Sequence, residues 1–331
     1  MTATKRLPAL PTPPDRSPRT VLTVSRDALR QFRHAVATTV GNRLGLGFMR
    51  LLSLLPLPLV RGVGWLLGRL LHALAARRRR IARTNWRLCF PDSSEAETAR
   101  AVRTHFVRFV QAWLDRSWLW QGSPAVVQRR LTLEGDLTPF AGHGPLVLFA
   151  PHFVGLDAGW TALNQAALPR TLCTIYAPQL NEAVDAWIYA GRQRFGQPHL
   201  LPKGQGLRSL AQAIKSGEPL YLLPDMDYGA RDAVFVPLFG QTAATITSLS
   251  RFARLAGAQV LPVVSEMTPA GYTVRVLPVW NTFPTADADA DTARMNRELE
   301  GLIGAMPEQY FWVHKRFKTR PPGEPSVYGR D

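Results

Sequence analysis

From about Leu131 onward the chain alternates short apolar runs with turns and helix-like stretches, and no other feature restricts the fold as strongly. The runs are Leu146–Ala150, Thr171–Tyr176, Leu220–Leu223, Val260–Val264 and Tyr272–Leu277. Helix candidates lie near Asp157–Ala167, Glu182–Phe195, Leu207–Ser216 and Ile246–Ala256. Runs this short are strand-length, and strands separated by helices need crossover connections over the faces of one sheet. The reading is an α/β fold with a central mixed sheet flanked by helices. No segment repeats at a fixed period.

The part before it reads differently. Residues 1–30 are expected to form a disordered tail, rich in Pro, Thr and Arg and lacking the apolar core of a secretory signal. Residues 31–90 are expected to be membrane-associating basic and apolar helices, and 91–331 the α/β domain. Between Leu44 and Leu71 the sequence is strongly apolar, but Arg50, Arg61 and Arg69 interrupt it and Pro56 and Pro58 break the helix. The uncharged stretch Leu51–Val60 is too short to span a bilayer, which needs about 20 apolar residues. Helices lying shallowly in the interface fit better, their arginines snorkelling to phosphates. Further on, Ser94 and Glu97 have capping-box spacing and start a helix running to about Trp120.

Charge sharpens this. The formal net charge is +16, and Arg26–Arg116 contains 17 Arg against Asp27, Asp92, Glu95, Glu97 and Asp115, or +12 of the total. The cluster Arg77–Arg80, with Arg83 and Arg87, directly follows the apolar segment. A basic cluster beside an apolar anchor suits anionic lipid, at ~1 kcal/mol per charge near the surface. A nucleic-acid partner would not need the adjacent Leu/Trp/Gly-rich segment. Two cysteines, Cys89 and Cys173, exclude a disulfide framework and a four-thiolate zinc site.

Chemistry concentrates at strand ends, where open α/β sheets place their ligands. His152 follows the run Leu146–Ala150, with Asp157 five residues on. A His acts as a general base near neutral pH when a carboxylate fixes its tautomer. Five residues is about 140° around a helix after one full turn, so the pairing requires His152 in the loop and Asp157 in the first helical turn. Asp225, Asp227 and Gly229 follow the run Leu220–Leu223 and either bind a substrate or cation or form a tight turn. Arg192 lies among Trp187, Tyr189 and Phe195 and suits a phosphate. Near the C-terminus, Lys315, Arg316, Lys318 and Arg320 meet no acid between them and invite an anionic partner. The chain lacks a Gly-x-Ser-x-Gly elbow, a phosphate-binding Gly-x4-Gly-Lys-Ser/Thr loop and a His-Glu-x-x-His pair.

Together these residues resemble the lipid A biosynthesis lauroyl/myristoyl acyltransferases, within the lysophospholipid acyltransferase superfamily. The likeness is carried by His152-x4-Asp157, Tyr176-x-Pro178, the Trp187–Phe195 helix with Arg192, and Asp225-x-Asp227-Tyr228-Gly229. It continues in Val234–Gly240, Ala243-x-Thr245 and the stretch from Pro307 to Arg320, and covers roughly Arg43–Tyr328. It implies transfer of a fatty acyl chain from acyl carrier protein to a hydroxyl of a phosphorylated lipid A precursor. The setting implied is the bacterial inner membrane, with the catalytic domain facing the cytoplasm and anionic lipid beneath it. His152 and Asp157 would be catalytic; Arg192, Asp225, Asp227, Gly229 and Arg316 would bind substrate. No metal, cofactor or nucleic acid is implied.

Three other readings compete. The same chemistry could acylate a lysophospholipid or another glycolipid, or the chain could be a catalytically inert membrane-binding protein. Asp225-x-Asp227 alone would suggest a metal-dependent glycosyltransferase.

Overall fold

The structure is a computed structural model and describes residues 41–329 apart from Ala167 and Gln205. The tail expected over 1–30, and the start of the segment expected over 31–90, lie outside the described residues. The chain divides into compact units 1–44 and 45–331. Of the first, only residues 41–44 are described, and they are helical; every strand among the described residues lies in the second.

Helix α1 covers 41–52 and ends before Pro56, and α2 (Leu57–Leu74) starts there with Pro58 in its first turn, where a missing N–H costs nothing. α3 (Ala76–Cys89) carries the arginine cluster, and α4 (Glu95–Gln121) starts at the expected capping box, both Ser94 and Glu97 contacts being made. α2 buries Leu57, Val60, Gly64 and Gly68 against α4. The glycines permit a very close approach, since a Cβ at Gly68 would lie 2.6 Å from Val107 Cα.

Arg61 does not snorkel. It points along the buried face of α2, where Nε and Nη2 bind the Asp115 carboxylate at 3.0 and 2.8 Å. Tyr272 and Trp118 donate to the same carboxylate. A fully buried Asp115 requires such a partner, and Arg61 faces inward to supply it.

The short helix α5 (Pro124–Arg130) leads into β1 (Leu131–Gly135), and α6 (Thr138–Ala141) leads into β2 (Leu146–Phe149). Then come α7 (Leu156–Gln165), β3 (Cys173–Tyr176), α8 (Glu182–Arg192), β4 (His199–Pro202), α9 (Leu207–Lys215) and β5 (Leu220–Leu222). A hairpin of β6 (Ala233–Leu238) and β7 (Gln241–Ile246) precedes α10 (Ser248–Ala256), β8 (Gln259–Thr268), β9 (Gly271–Val276) and α11 (Ala288–Ala305).

The main sheet has seven strands in the order β1-β9-β8-β2-β5-β3-β4. From β8 to β4 the strands run parallel, and β9 turns back on β8, so the sheet is mixed. All five apolar runs become strands and all four helix candidates form helices. β2 is buried on both faces, as its uninterrupted Leu-Val-Leu-Phe requires.

The stretch after α11 threads back through the fold. A 3-10 turn at Pro307–Gln309 brings Tyr310 opposite Phe153, and Val154 donates to the Gln309 carbonyl. On α4, the fully buried His105 shares a hydrogen bond with the Glu308 carbonyl through Nδ1 at 3.1 Å, while its Nε2 has no partner. Burial pushes His105 down to about 4. An unfolded chain therefore takes up a proton below pH 6.5 that the fold refuses, so stability falls as pH drops from 6.5 toward 4 and levels off below. Between pH 7 and 5 this costs about 2 kcal/mol. Urea denaturation at both pH values should show His105→Asn losing that share of the slope; an unchanged slope refutes it.

Candidate active site

Two parallel strands deliver the centre. Strands β2 and β5 are neighbours with Phe149 registered opposite Leu222, and Ala150 N–H donates to the Leu222 carbonyl. Each strand then reaches a proline, Pro151 or Pro224, and the next residue is His152 on one side and Asp225 on the other. Both stand three residues beyond the registered pair, at the carboxyl edge of the sheet.

There the Asp225 carboxylate grips His152 twice. Its Oδ2 accepts from the His152 backbone N–H at 3.0 Å, and its Oδ1 lies 2.7 Å from Nδ1. An acceptor that close assigns a proton to Nδ1 and keeps Nε2 out of the Asp225 contact. Asp225 is completely buried and the His152 side chain is 19% exposed, so the carboxylate is sheltered while the ring is accessible. Burial works to raise the Asp225 carboxyl, but its contacts with His152 and the nearby Arg316 charge outweigh it, and the net direction is down. Phe311 stacks on the ring at 6.4 Å between centroids.

His152 therefore pairs with Asp225 and not with the expected Asp157. Asp157 falls in the first turn of α7, faces away from the loop, and is buried between two arginines. Arg116 of α4 holds its Oδ2 at 2.7 Å and Arg192 of α8 its Oδ1 at 2.9 Å. Burial opposes the charged carboxylate, but the two guanidiniums prevail and lower it below the ordinary range. Two cations against one anion leave one positive charge over. Arg192 spends only Nε on Asp157, and its Nη donors make no hydrogen bond within the described residues. The sequence offered no sign of Arg116, whose role depends on how α4 packs against α7.

The remaining expectations separate. Asp227 is buried, accepts from Thr319 N–H and Oγ1 and from Gly229 N–H, and so ties the strand-end loop to the C-terminal segment. Gly229 adopts φ +101°, a turn conformation that favours glycine. Both shape the loop. Arg316 is corrected outright: it is 1% exposed, and its Nη groups donate to the Ala244 carbonyl and Thr245 Oγ1, pinning the β6–β7 hairpin. Its burial, and the bond each Nη group makes to the hairpin, give it a structural place in the fold. Among the described residues no three of His, Cys, Asp and Glu converge as a metal would require.

Comparison with known proteins agrees with this architecture. The profile of the family described as bacterial lipid A biosynthesis acyltransferase matches residues 28–319. The lipid A biosynthesis lauroyltransferase of Escherichia coli K12 is 34% identical over 86% of this chain and 94% of its own length. The palmitoleoyltransferase of the same organism is 31% identical over 86% and 93%, and its myristoyltransferase 31% over 80% and 82%. A match spanning the sheet, both strand-end loops and the C-terminal segment places the chain in the bacterial lipid A biosynthesis acyltransferase family, and it is an acyltransferase.

Proposed function

We propose that this enzyme moves a fatty acyl chain from an acyl carrier protein thioester to a hydroxyl of a phosphorylated lipid A precursor, with His152 as the general base. The observation that carries this is the short bond from His152 Nδ1 to the buried Asp225, which leaves Nε2 to act as proton acceptor on a partly exposed ring at the sheet edge. The acceptor hydroxyl gives its proton to Nε2 as its oxygen bonds the thioester carbonyl carbon. The tetrahedral adduct then breaks its C–S bond, and the sulfur departs with the proton from His152. Asp225 keeps the tautomer and balances the imidazolium charge between the two transfers.

Transfer is direct. His152 makes its ring hydrogen bond to Asp225 and to no serine or cysteine. Cys89 and Cys173 are buried in the core, and burial raises both thiols, Cys173 to about 12. Neither supplies a thiolate for an acyl-enzyme. The surplus positive charge of Arg116 and Arg192 would anchor an acceptor phosphate, through the Arg192 Nη donors.

The setting would be the cytoplasmic surface of the inner membrane. Leu54, in the turn between α1 and α2, and Leu59, Leu66, Leu70 and Leu74 along α2 are each more than half exposed. An apolar row this long on water-facing helices suits shallow burial in lipid. Among the described residues no single helix is long and apolar enough to cross a membrane; only α2 and α3 together are, and they bend by 93°.

Purified enzyme given carrier-protein thioesters of several chain lengths and a phosphorylated lipid A precursor should form the acylated product and release the carrier thiol. The relatives named above differ in acyl chain while differing little in identity, so this assay also reads the preferred length. Activity confined to a lysophospholipid acceptor, or to coenzyme A thioesters, would overturn the proposal.

A further inference from the structure

Much of the α3 charge is used inside the fold. Arg79 caps carbonyls at the end of α2, Arg78 donates to the Val313 carbonyl, and Arg83 and Arg87 share Glu95. A second set of arginines is not used in this way. Along the close seam between α2 and α4 lies a groove of about 390 Å³ lined by Trp65 and Arg69 of α2 and Arg100, Arg103 and Arg108 of α4. Val107 and Gln111 also line it.

None of these four guanidiniums has a carboxylate partner within the described residues. Arg69 lies over the Trp65 ring at 5.5 Å, and Arg108 reaches only Gln111 Oε1 and Met267 Sδ. Glu97, one turn before Arg100, is held by the Ser94 capping box, and it feels the Arg100 charge only as a lesser influence without forming an ion pair with it. Like charges gathered around one groove repel unless an anion joins them. The neighbouring His72 registers that field: burial first, then Arg79, Arg103, Arg69 and Arg83, hold it below its ordinary value.

The groove borders the exposed apolar row. Leu66 is three residues from Arg69, about 60° around the same helix. Guanidiniums that fit a phosphate fork, a Trp at the lip and a leucine row beside it match one kind of molecule. An acidic protein would supply the anion but would not cover the leucines. We propose that the groove between α2 and α4 binds the headgroup phosphate of an anionic phospholipid whose chains lie along Leu59, Leu66 and Leu70. The site shares no residue with the His152 centre. It rests on the membrane seating proposed above, and it sets how α4, which carries Arg116 two turns beyond Arg108, is held against the bilayer.

Flotation of the full chain with phosphatidylcholine vesicles, with and without phosphatidylglycerol, tests this. Wild type should partition more strongly onto the anionic vesicles, and Arg100→Gln with Arg103→Gln should weaken that partition by about tenfold, leaving the neutral-vesicle value unchanged. A charge-matched control, Arg208→Gln with Arg297→Gln on α9 and α11, should change it by less than about twofold. Failure of wild type to bind either vesicle overturns the membrane seating itself. Equal losses in the two double variants, or no preference for anionic vesicles, overturn the groove and leave the seating standing. Loss of affinity for acyl carrier protein with vesicle binding intact would make the groove a protein-docking surface and also overturn the proposal.

Discussion

His152→Ala lowers the rate of acyl transfer by roughly 10²–10⁴-fold, the range that a positioned general base contributes. The variant also strips the buried Asp225 of one partner, at a cost of about 1–3 kcal/mol in stability, so reduced activity alone would be ambiguous. His152→Asn separates the two effects. Its side-chain amide can donate to Asp225 but has no basic lone pair to offer a hydroxyl. The expectation is that His152→Asn melts closer to wild type than His152→Ala yet is equally inactive, with substrate KM little changed in both. Near-normal transfer by either variant, measured with carrier-protein donor and purified enzyme, removes His152 from the chemistry. Recovery of activity in His152→Asn would make the residue a support for the loop only.

The fold was readable where local pattern and tertiary need coincide. Strands β2 and β5, and the Val260–Val264 part of β8, are buried and unbroken in apolar character, so the run alone identifies them. Strand β4 is only His-Leu-Leu-Pro at the sheet edge, and nothing in four such residues separates a strand from a loop. Helix α11 was missed because its first turns are Ala-Asp-Ala-Asp, which read as a polar loop until Asp287 is seen capping Asp289 and Ala290. Arg61 shows the same limit at the level of one residue. Its place in an apolar segment suggests an arginine reaching for water, and only the burial of Asp115 on another helix turns it inward.

The site was half readable for a related reason. Spacing finds neighbours along the chain, and Asp157 is the carboxylate nearest His152 in sequence. The actual partner is 73 residues away, on a strand that sits beside β2 only because the chain places β3 and β4 outside it. A usable signal was nonetheless present: both strand ends run into proline and then a chemically active residue, Pro151-His152 and Pro224-Asp225.

Asp225→Asn and Asp157→Asn should accordingly fail in different ways. At position 225 an amide no longer neutralises the imidazolium and can present its NH2 to Nδ1, favouring the tautomer with Nε2 protonated and unable to accept a proton. Transfer should fall by roughly 10²–10⁴-fold through kcat, with KM little changed. At position 157 the ring is untouched. What is lost is the anion between Arg116 and Arg192, so two guanidiniums repel across a partly buried gap and Arg192 is no longer aimed. Removing one member of such a buried pair typically destabilises by about 3–5 kcal/mol, and the screening reaching Arg192 and Arg116 puts the expectation at the lower end. The surviving enzyme should show a raised KM for the phosphorylated acceptor with kcat much less affected. Thermal melts and kcat against KM over a pH series, run on both variants, distinguish the two roles. If Asp157→Asn lowers kcat and Asp225→Asn changes only KM, Asp157 is the carboxylate that charges the imidazole in solution and the assignment of Asp225 fails.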